Sequence, residues 1–433
     1  MDTTNQKKID PPQKAKMLLI TNGFPFGESE RGFLPTEFDA LNDAFDVYVL
    51  AKTVDQPEKN WKDLDKERVY CTGNPPLHVL HVFSQIFRWG VIREICRAIR
   101  AGGGVRLLLR RISAILRCSA RAEMYAKQIQ QIGDKHGLDM IYTYWCTQAT
   151  IAALRVKRKH PEIKVVTRFH GYDLYQERTE ELWQPFQHDV SVNCDLLVFA
   201  CQTGMAYFKT QWKDTPEEKM LVSYLGCRPM ERILPANGDG ICLVSCSNLI
   251  PLKRVEYIVD ALALLPESIQ VSWHHFGDGI LRNDLETRAK EKLSGKPSIS
   301  WCFHGAVPNA QLDQYYRTIK PDVFITTTST EGGAPVSIQE ALAMGIPAIG
   351  TDVGGVREVV ISEKTGWLLP GDPTIQQVAD AIFAAATLPE DERQDLRKAA
   401  FAHWQNHFNS KQTAYNFVKN LEKMQFDGKE SYK

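Results

Sequence analysis

The sequence predicts an α/β protein of two domains, each built on a parallel sheet, and three observations predict it. The chain has 433 residues, more than one hydrophobic core normally supports. Short apolar runs alternate with amphipathic stretches, the pattern of parallel strands joined through helices. That rhythm lapses in a polar stretch at 235–240 and then restarts.

Taken in order, a polar tail (1–16) precedes MLLI (Met17–Ile20), the first strand, whose Gly- and Pro-containing loop enters a helix. DVYVL (Asp46–Leu50), DMIYTYW (Asp139–Trp145), KVVTRFHGYD (Lys164–Asp173) and CDLLVFA (Cys194–Ala200) supply further strands of a first domain spanning 17–226. ICLVSCSN, VSWHHFG, SISWCFHG, DVFITTT and IPAIGTD supply those of a second, 227–405, with helices between them. A helix over 406–433 is expected to pack back across the cleft between the domains. Both domains read as Rossmann-like, and such sheets bind ligands at the carboxyl ends of their strands.

Composition narrows the class. The hydrophobic share is 43% and the charged share 24%, ordinary for a globular protein. Lys plus Arg equals Asp plus Glu at 52 each, so no global charge invites nucleic acid. Ten cysteines are too sparse for a disulfide scaffold, and Cys242 and Cys246 lack the second pair a zinc motif needs. The tail does not read as a signal peptide, and no apolar run approaches the ~18 residues of a membrane span, so a cytoplasmic protein is expected. One stretch is locally biased: residues 77–121 hold nine arginines and a single acid, Glu94, among aliphatic and aromatic residues. This predicts two basic amphipathic helices inserted in the first domain. They are either a solvated surface or a contact with an anionic membrane face.

The chemistry concentrates in Asp322–Val360. A buried strand ends in a polar loop with Glu331, Gly332 and Gly333; Ala334 and Pro335 follow, and a helix starts near Val336. The N-terminus of such a helix aims backbone N–H groups and a positive dipole end at an anion. Glu340, one turn in, is placed to accept from ribose hydroxyls, and Glu331 to reach sugar hydroxyls. Gly354-Gly355 allows the main chain to approach a ligand closely.

STEGGAPVSIQEALAMGIP and TDVGGVRE resemble the retaining nucleotide-sugar glycosyltransferases of family 4, whose paired Rossmann-like domains form the GT-B arrangement. In that family seven residues usually separate the two glutamates; here eight do, and the extra glycine of Gly332-Gly333 lies ahead of the helix, so Glu340 keeps its register. The resemblance extends over nearly the whole chain. SNLIPLKRVEYIVDAL matches the segment that holds the donor diphosphate. It implies Lys253 there, with Asn248 standing where an arginine is usual, so that either one phosphate contact is neutral or Arg254 supplies it. HFGDGILR and FHGAVPNAQLDQYY, with Gly277 and Gly305, match the segments flanking the base. TRFHGYDLY implies His170 near the donor sugar and Asp173 on the acceptor side. FPFGESERGFLPTEF, with Gly27, resembles the acceptor-side loop.

The resemblance thus implies retaining transfer of a sugar from a nucleotide-sugar donor to a glycan or lipid-linked acceptor. Glu331, Lys253 and His170 would be catalytic, and no cofactor or metal would be needed. The tempting Asp63-Leu64-Asp65 lies in a polar run rather than after a strand, where metal-dependent transferases place such a pair. An epimerase or phosphorylase of the same architecture, or a silent nucleotide-sugar-binding protein, are the alternatives. No G-x-G-x-x-G opens a helix after a strand, which disfavours a dehydrogenase.

Overall fold

The computed structural model describes residues 14–26, 30–54, 64–73, 75–234 and 240–430. Two all-parallel sheets form, as the alternating pattern requires. The first contains β1 (Lys16–Thr21), β2 (Asp46–Ala51), β3 (Val69–Cys71), β4 (Met140–Thr143), β5 (Lys164–Phe169), β6 (Leu196–Phe199) and β7 (Met220–Val222), ordered β3-β2-β1-β4-β5-β6-β7. The second contains β8 (Ile241–Cys246), β9 (Val271–Phe276), β10 (Ile299–Phe303), β11 (Val323–Thr326), β12 (Ala348–Thr351) and β13 (Gly366–Leu369), ordered β10-β9-β8-β11-β12-β13. In both, the order reverses beside the first strand, between β1 and β4 and between β8 and β11. A reversal of this kind opens a crevice at the carboxyl ends of the strands.

Helices cover both faces of each sheet, so strand residues of either parity are buried. In β1, Leu18 and Ile20 pack into one layer while Met17 and Leu19 pack into the other. Fully burying an aliphatic side chain contributes about 1.5–3 kcal/mol, and this two-sided burial explains the continuous apolar runs. The three strands absent from the sequence reading, β3, β7 and β13, are edge strands of three or four residues. They are too short to show a period.

The chain crosses between domains twice, and the crossings are bonded together. Cys227 N–H donates to the Phe408 carbonyl at 2.9 Å, and Ser410 N–H donates to that of Cys227 at 3.0 Å. The helix Ser410–Glu430 then lies on the helix Leu34–Ala44 of the first domain, burying Phe417 and Leu421.

The basic stretch departs from the expected pair of inserted helices. It forms a short helix Val79–Ser84, a helix Trp89–Arg100 and the first half of a 33-residue helix, Gly104–His136. The last runs on beyond 121 because Tyr125, Ile129 and Ile132 are core residues, making its second half the crossover into β4. Among the described residues no helix is long and apolar enough to cross a membrane.

Candidate active site

Sequence-distant loops converge at the crevice of the second sheet. After β8 the chain makes a 3₁₀ turn, Pro251–Lys253, and the loop after β11 docks on it: Ser329 N–H donates to the Leu252 carbonyl at 2.8 Å, and the Thr327 hydroxyl to that of Arg254, also at 2.8 Å. This brings Lys253 Nζ to Glu331 Oε1 at 2.5 Å, with both side chains still partly open to solvent. The helix Val336–Ala343 begins five residues beyond Glu331, with Pro335 at its N-cap. Glu340 is buried in that helix. Asn309 Nδ2 donates to its Oε1 at 2.9 Å, and burial raises its pKa. The carboxylate lines a cleft of about 530 Å³ between the domains, faced by Phe33, Pro35 and Thr36 of the first domain and by Arg228 of the second.

Gly277 and Gly305 form a bridge at the ends of β9 and β10, with Gly277 N–H donating to the Gly305 carbonyl at 2.8 Å. Gly277 has φ of 136°, and a Cβ there would stand 1.9 Å from the Ser247 carbonyl oxygen, so only glycine fits. Asn248 is exposed at the mouth of the same loop.

Arg254 is not free for a diphosphate. It sits in the left-handed region (φ 47°), and its guanidinium donates to the carbonyls of Thr327, Thr328 and Gly371 and to Asp372 Oδ1. Four of its five N–H donors are thus committed to fixing the strand-end loops. Asp173 is likewise a holder rather than an acceptor contact. It is buried, its Oδ1 accepts from the N–H groups of His170 and Gly171, and its Oδ2 accepts from that of Cys146. Gly27 lies outside the described residues, as does Asp63; Asp65 accepts from Glu67 N–H and starts a 3₁₀ turn.

The glycine pairs bring main chain close to main chain. A Cβ on Gly332 would meet the His170 carbonyl at 2.7 Å and Gly171 Cα at 2.8 Å, both in the other domain, while one on Gly333 would touch Ala200. A Cβ on Gly354 would meet the Glu331 carbonyl at 2.2 Å. Around this contact Arg178 bonds Thr330, and Glu358 accepts from Gln202 N–H, Thr203 N–H and the hydroxyls of Thr203 and Tyr224.

The first domain's face of the crevice is aromatic. His170 Nε2–H donates to the Tyr144 carbonyl at 2.9 Å, and its ring lies 4.0 Å from that of Trp145, which is 5.2 Å from that of Tyr172. Burial, reinforced by Arg168, lowers the His170 pKa to about 3, so the ring is neutral. The sequence reading passed over two groups here. Lys52, at the end of β2, is buried with its pKa lowered to about 8 by burial, and donates to the Thr147 hydroxyl at 3.0 Å. Glu30 gathers the N–H groups of Asn22, Gly23 and Phe24 and the Trp145 indole. The only sequence signal for either was a charge beside a strand-end loop.

Comparison with known proteins bears on the fold and on the second domain's sequence pattern. Residues 229–403 match the family of glycosyl transferases group 1. A putative colanic acid biosynthesis glycosyltransferase, WcaL of Escherichia coli, is 25% identical over 256 residues, 57% of this chain and 61% of the relative. A GDP-mannose-dependent alpha-mannosyltransferase of Mycobacterium tuberculosis is 35% identical over 198 residues, 46% of this chain and 42% of the relative. The chain therefore spans less than two thirds of either relative. Anabaena HepE, solved with UDP and glucose, superposes with a TM-score of 0.64 at 17% identity, covering 94% of this chain and 100% of that one. The fold is that of the GT-B glycosyltransferases, and the second domain carries the group 1 sequence pattern.

Proposed function

We propose that this chain is a retaining, metal-independent glycosyltransferase that moves a hexosyl unit from a nucleotide-sugar donor to a hydroxyl of a glycan or lipid-linked acceptor. The observation that carries this is the convergence of Lys253, Glu331 and the start of the helix Val336–Ala343 at the reversal point of the second sheet, with Glu340 buried beside them. In this reading the diphosphate takes Lys253 from Glu331, and the lysine and helix N–H groups stabilise the charge that develops on the leaving group. Glu331, released, turns to the sugar hydroxyls. Glu340, oriented by Asn309, accepts from the ribose. The Trp145–Tyr172 pair, backed by neutral His170, offers the sugar a stacking wall. The names of HepE's ligands and of the mycobacterial relative's donor support a nucleoside diphosphate sugar as the donor class.

Thermal shift with UDP-, GDP- and ADP-sugars, followed by a transfer assay with the stabilising donor, tests this. One donor should raise the melting temperature by the amount its occupancy dictates and be turned over. If none stabilises the protein and none is consumed, the reading fails.

A peripheral position on an anionic membrane belongs to the same proposal. In Trp89–Arg100 the buried face is Val91, Glu94 and Ala98, while Trp89, Ile92 and Ile99 point outward beside exposed Arg93 and Arg100. Phe83 and Phe87 before it, and Val105, Arg106, Leu109 and Arg110 after it, continue the exposed surface. Arg111, by contrast, is buried and bonds the carbonyls of Ala98, Gly102 and Glu181. Each free arginine near an anionic surface contributes about 1 kcal/mol, and the apolar residues add a term that salt does not weaken. Wild-type protein should sediment with phosphatidylglycerol vesicles and not with phosphatidylcholine alone. Changing Arg93, Arg100, Arg106 and Arg110 to Glu should abolish that binding. Wild type left in the supernatant at low salt would refute the membrane position.

A further inference from the structure

On the second sheet, away from the Lys253–Glu331 pair, three metal-ligating side chains meet at its β10 edge. His274 on β9 and Cys302 on β10 are directly paired across the parallel ladder, which puts their side chains on the same face. His304 follows Cys302 by two residues, just past the end of β10, and returns to that face. His274 Nδ1 and His304 Nε2 stand 2.9 Å apart, with the rings stacked at 5.2 Å and 20°. One donor atom from each of the three residues lies within 4.8 Å of the other two. Cys302 is exposed, and both histidines are partly open.

The neighbours hold this arrangement in place. His304 stacks on buried Phe276 at 4.4 Å and 4°, and its N–H donates to the His275 carbonyl at 2.9 Å. His275 itself points the other way, to the Ser245 hydroxyl and the Ser247 carbonyl, and takes no part. Two imidazoles and a thiol within one small volume are the ligand set of borderline-soft divalent ions. Tetrahedral coordination at ~2.0–2.3 Å sets donor atoms roughly 3.3–3.6 Å apart, so side-chain rotations of about 1 Å close the site.

We infer that His274, Cys302 and His304 form a binding site for one zinc-like divalent cation, stapling the ends of β9 and β10 and leaving its fourth position to water. The same strand ends carry the Gly277–Gly305 bridge, so an occupied site stiffens that rim of the crevice. The ion takes no part in glycosyl transfer, and the site stands whether or not the proposed activity does.

The experiment uses tag-free, chelator-treated full-length protein and cobalt as a spectroscopic probe. Wild type should bind one cobalt per chain with a thiolate-to-metal charge-transfer band, zinc should displace it, and zinc should raise the melting temperature. Cys302→Ser, a change at an exposed position, should lose the band and the zinc-induced melting shift. His274→Gln should weaken zinc by more than the roughly tenfold that loss of a group outside the ligand set costs. If wild type shows no charge-transfer band, or if Cys302→Ser keeps both band and melting shift, the site does not exist as described.

Discussion

The two walls of the crevice are built on opposite principles. The second domain's wall presents charge and backbone: Lys253 against Glu331, glycines packed to contact distance, and a helix start, all partly open. The first domain's wall presents rings and hidden charge: Trp145 and Tyr172 outward, with His170, Asp173, Lys52 and Glu30 buried behind them. The first arrangement suits an anionic donor that supplies its own charge to be met. The second suits a polar, uncharged sugar, which gains more from stacking and fixed hydrogen bonds than from a field.

The sharpest way to break this contrast lies on the charged wall. On the proposed reading, Lys253→Ala and Glu340→Ala should each depress transfer by about a hundredfold; Lys253→Ala, at a partly open position, should barely change the melting temperature, whereas Glu340→Ala also removes a buried partner of Asn309. Near wild-type turnover in either variant would remove that residue from the donor site. A smaller effect probes the aromatic wall through pH. His170 has a folded pKa of about 3 against ~6.5 when unfolded, so its contribution to stability is present above pH 6.5 and lost as pH falls toward 3. Between pH 7 and pH 5 wild type should lose about 2 kcal/mol more than His170→Gln, measured by urea unfolding. Equal losses would mean that the imidazole charges freely in the fold. The smallest expected effect is that of EDTA: the initial rate of transfer should survive it, whereas loss restored by magnesium or manganese would show that the charged wall needs an ion after all.

The same contrast governs what the sequence could reveal. The charged wall was legible because Glu331, Glu340 and Lys253 lie in contiguous patterns whose order carries information. Arg254 shows where such reading ends. Its neighbours in sequence fit a phosphate site, but a left-handed backbone turns its guanidinium onto three carbonyls and Asp372, contacts formed only once distant loops dock. Asp173 was placed on the acceptor side and Glu30 was passed over for the same reason, since what they bind is mostly backbone N–H, which every sequence has. The long helix Gly104–His136 was misjudged at its boundary because the arginine bias stops at 121, whereas the helix continues on the sparse buried stripe of Ala122, Tyr125, Ile129 and Ile132.

The contact between Gly171 and Gly332 has a mechanical consequence. Here main chain meets main chain, with Arg178, Cys201 and Ala200 alongside, and a methyl group on Gly332 would act as a wedge between the two domains. Gly332→Ala should therefore leave the second domain's fold and its donor-side groups in place while holding the lips of the crevice apart. The glycine beside Glu331 that lengthens the spacing between the two glutamates can then be understood as clearance, a side chain left out so that the two strand-end loops can lie against each other.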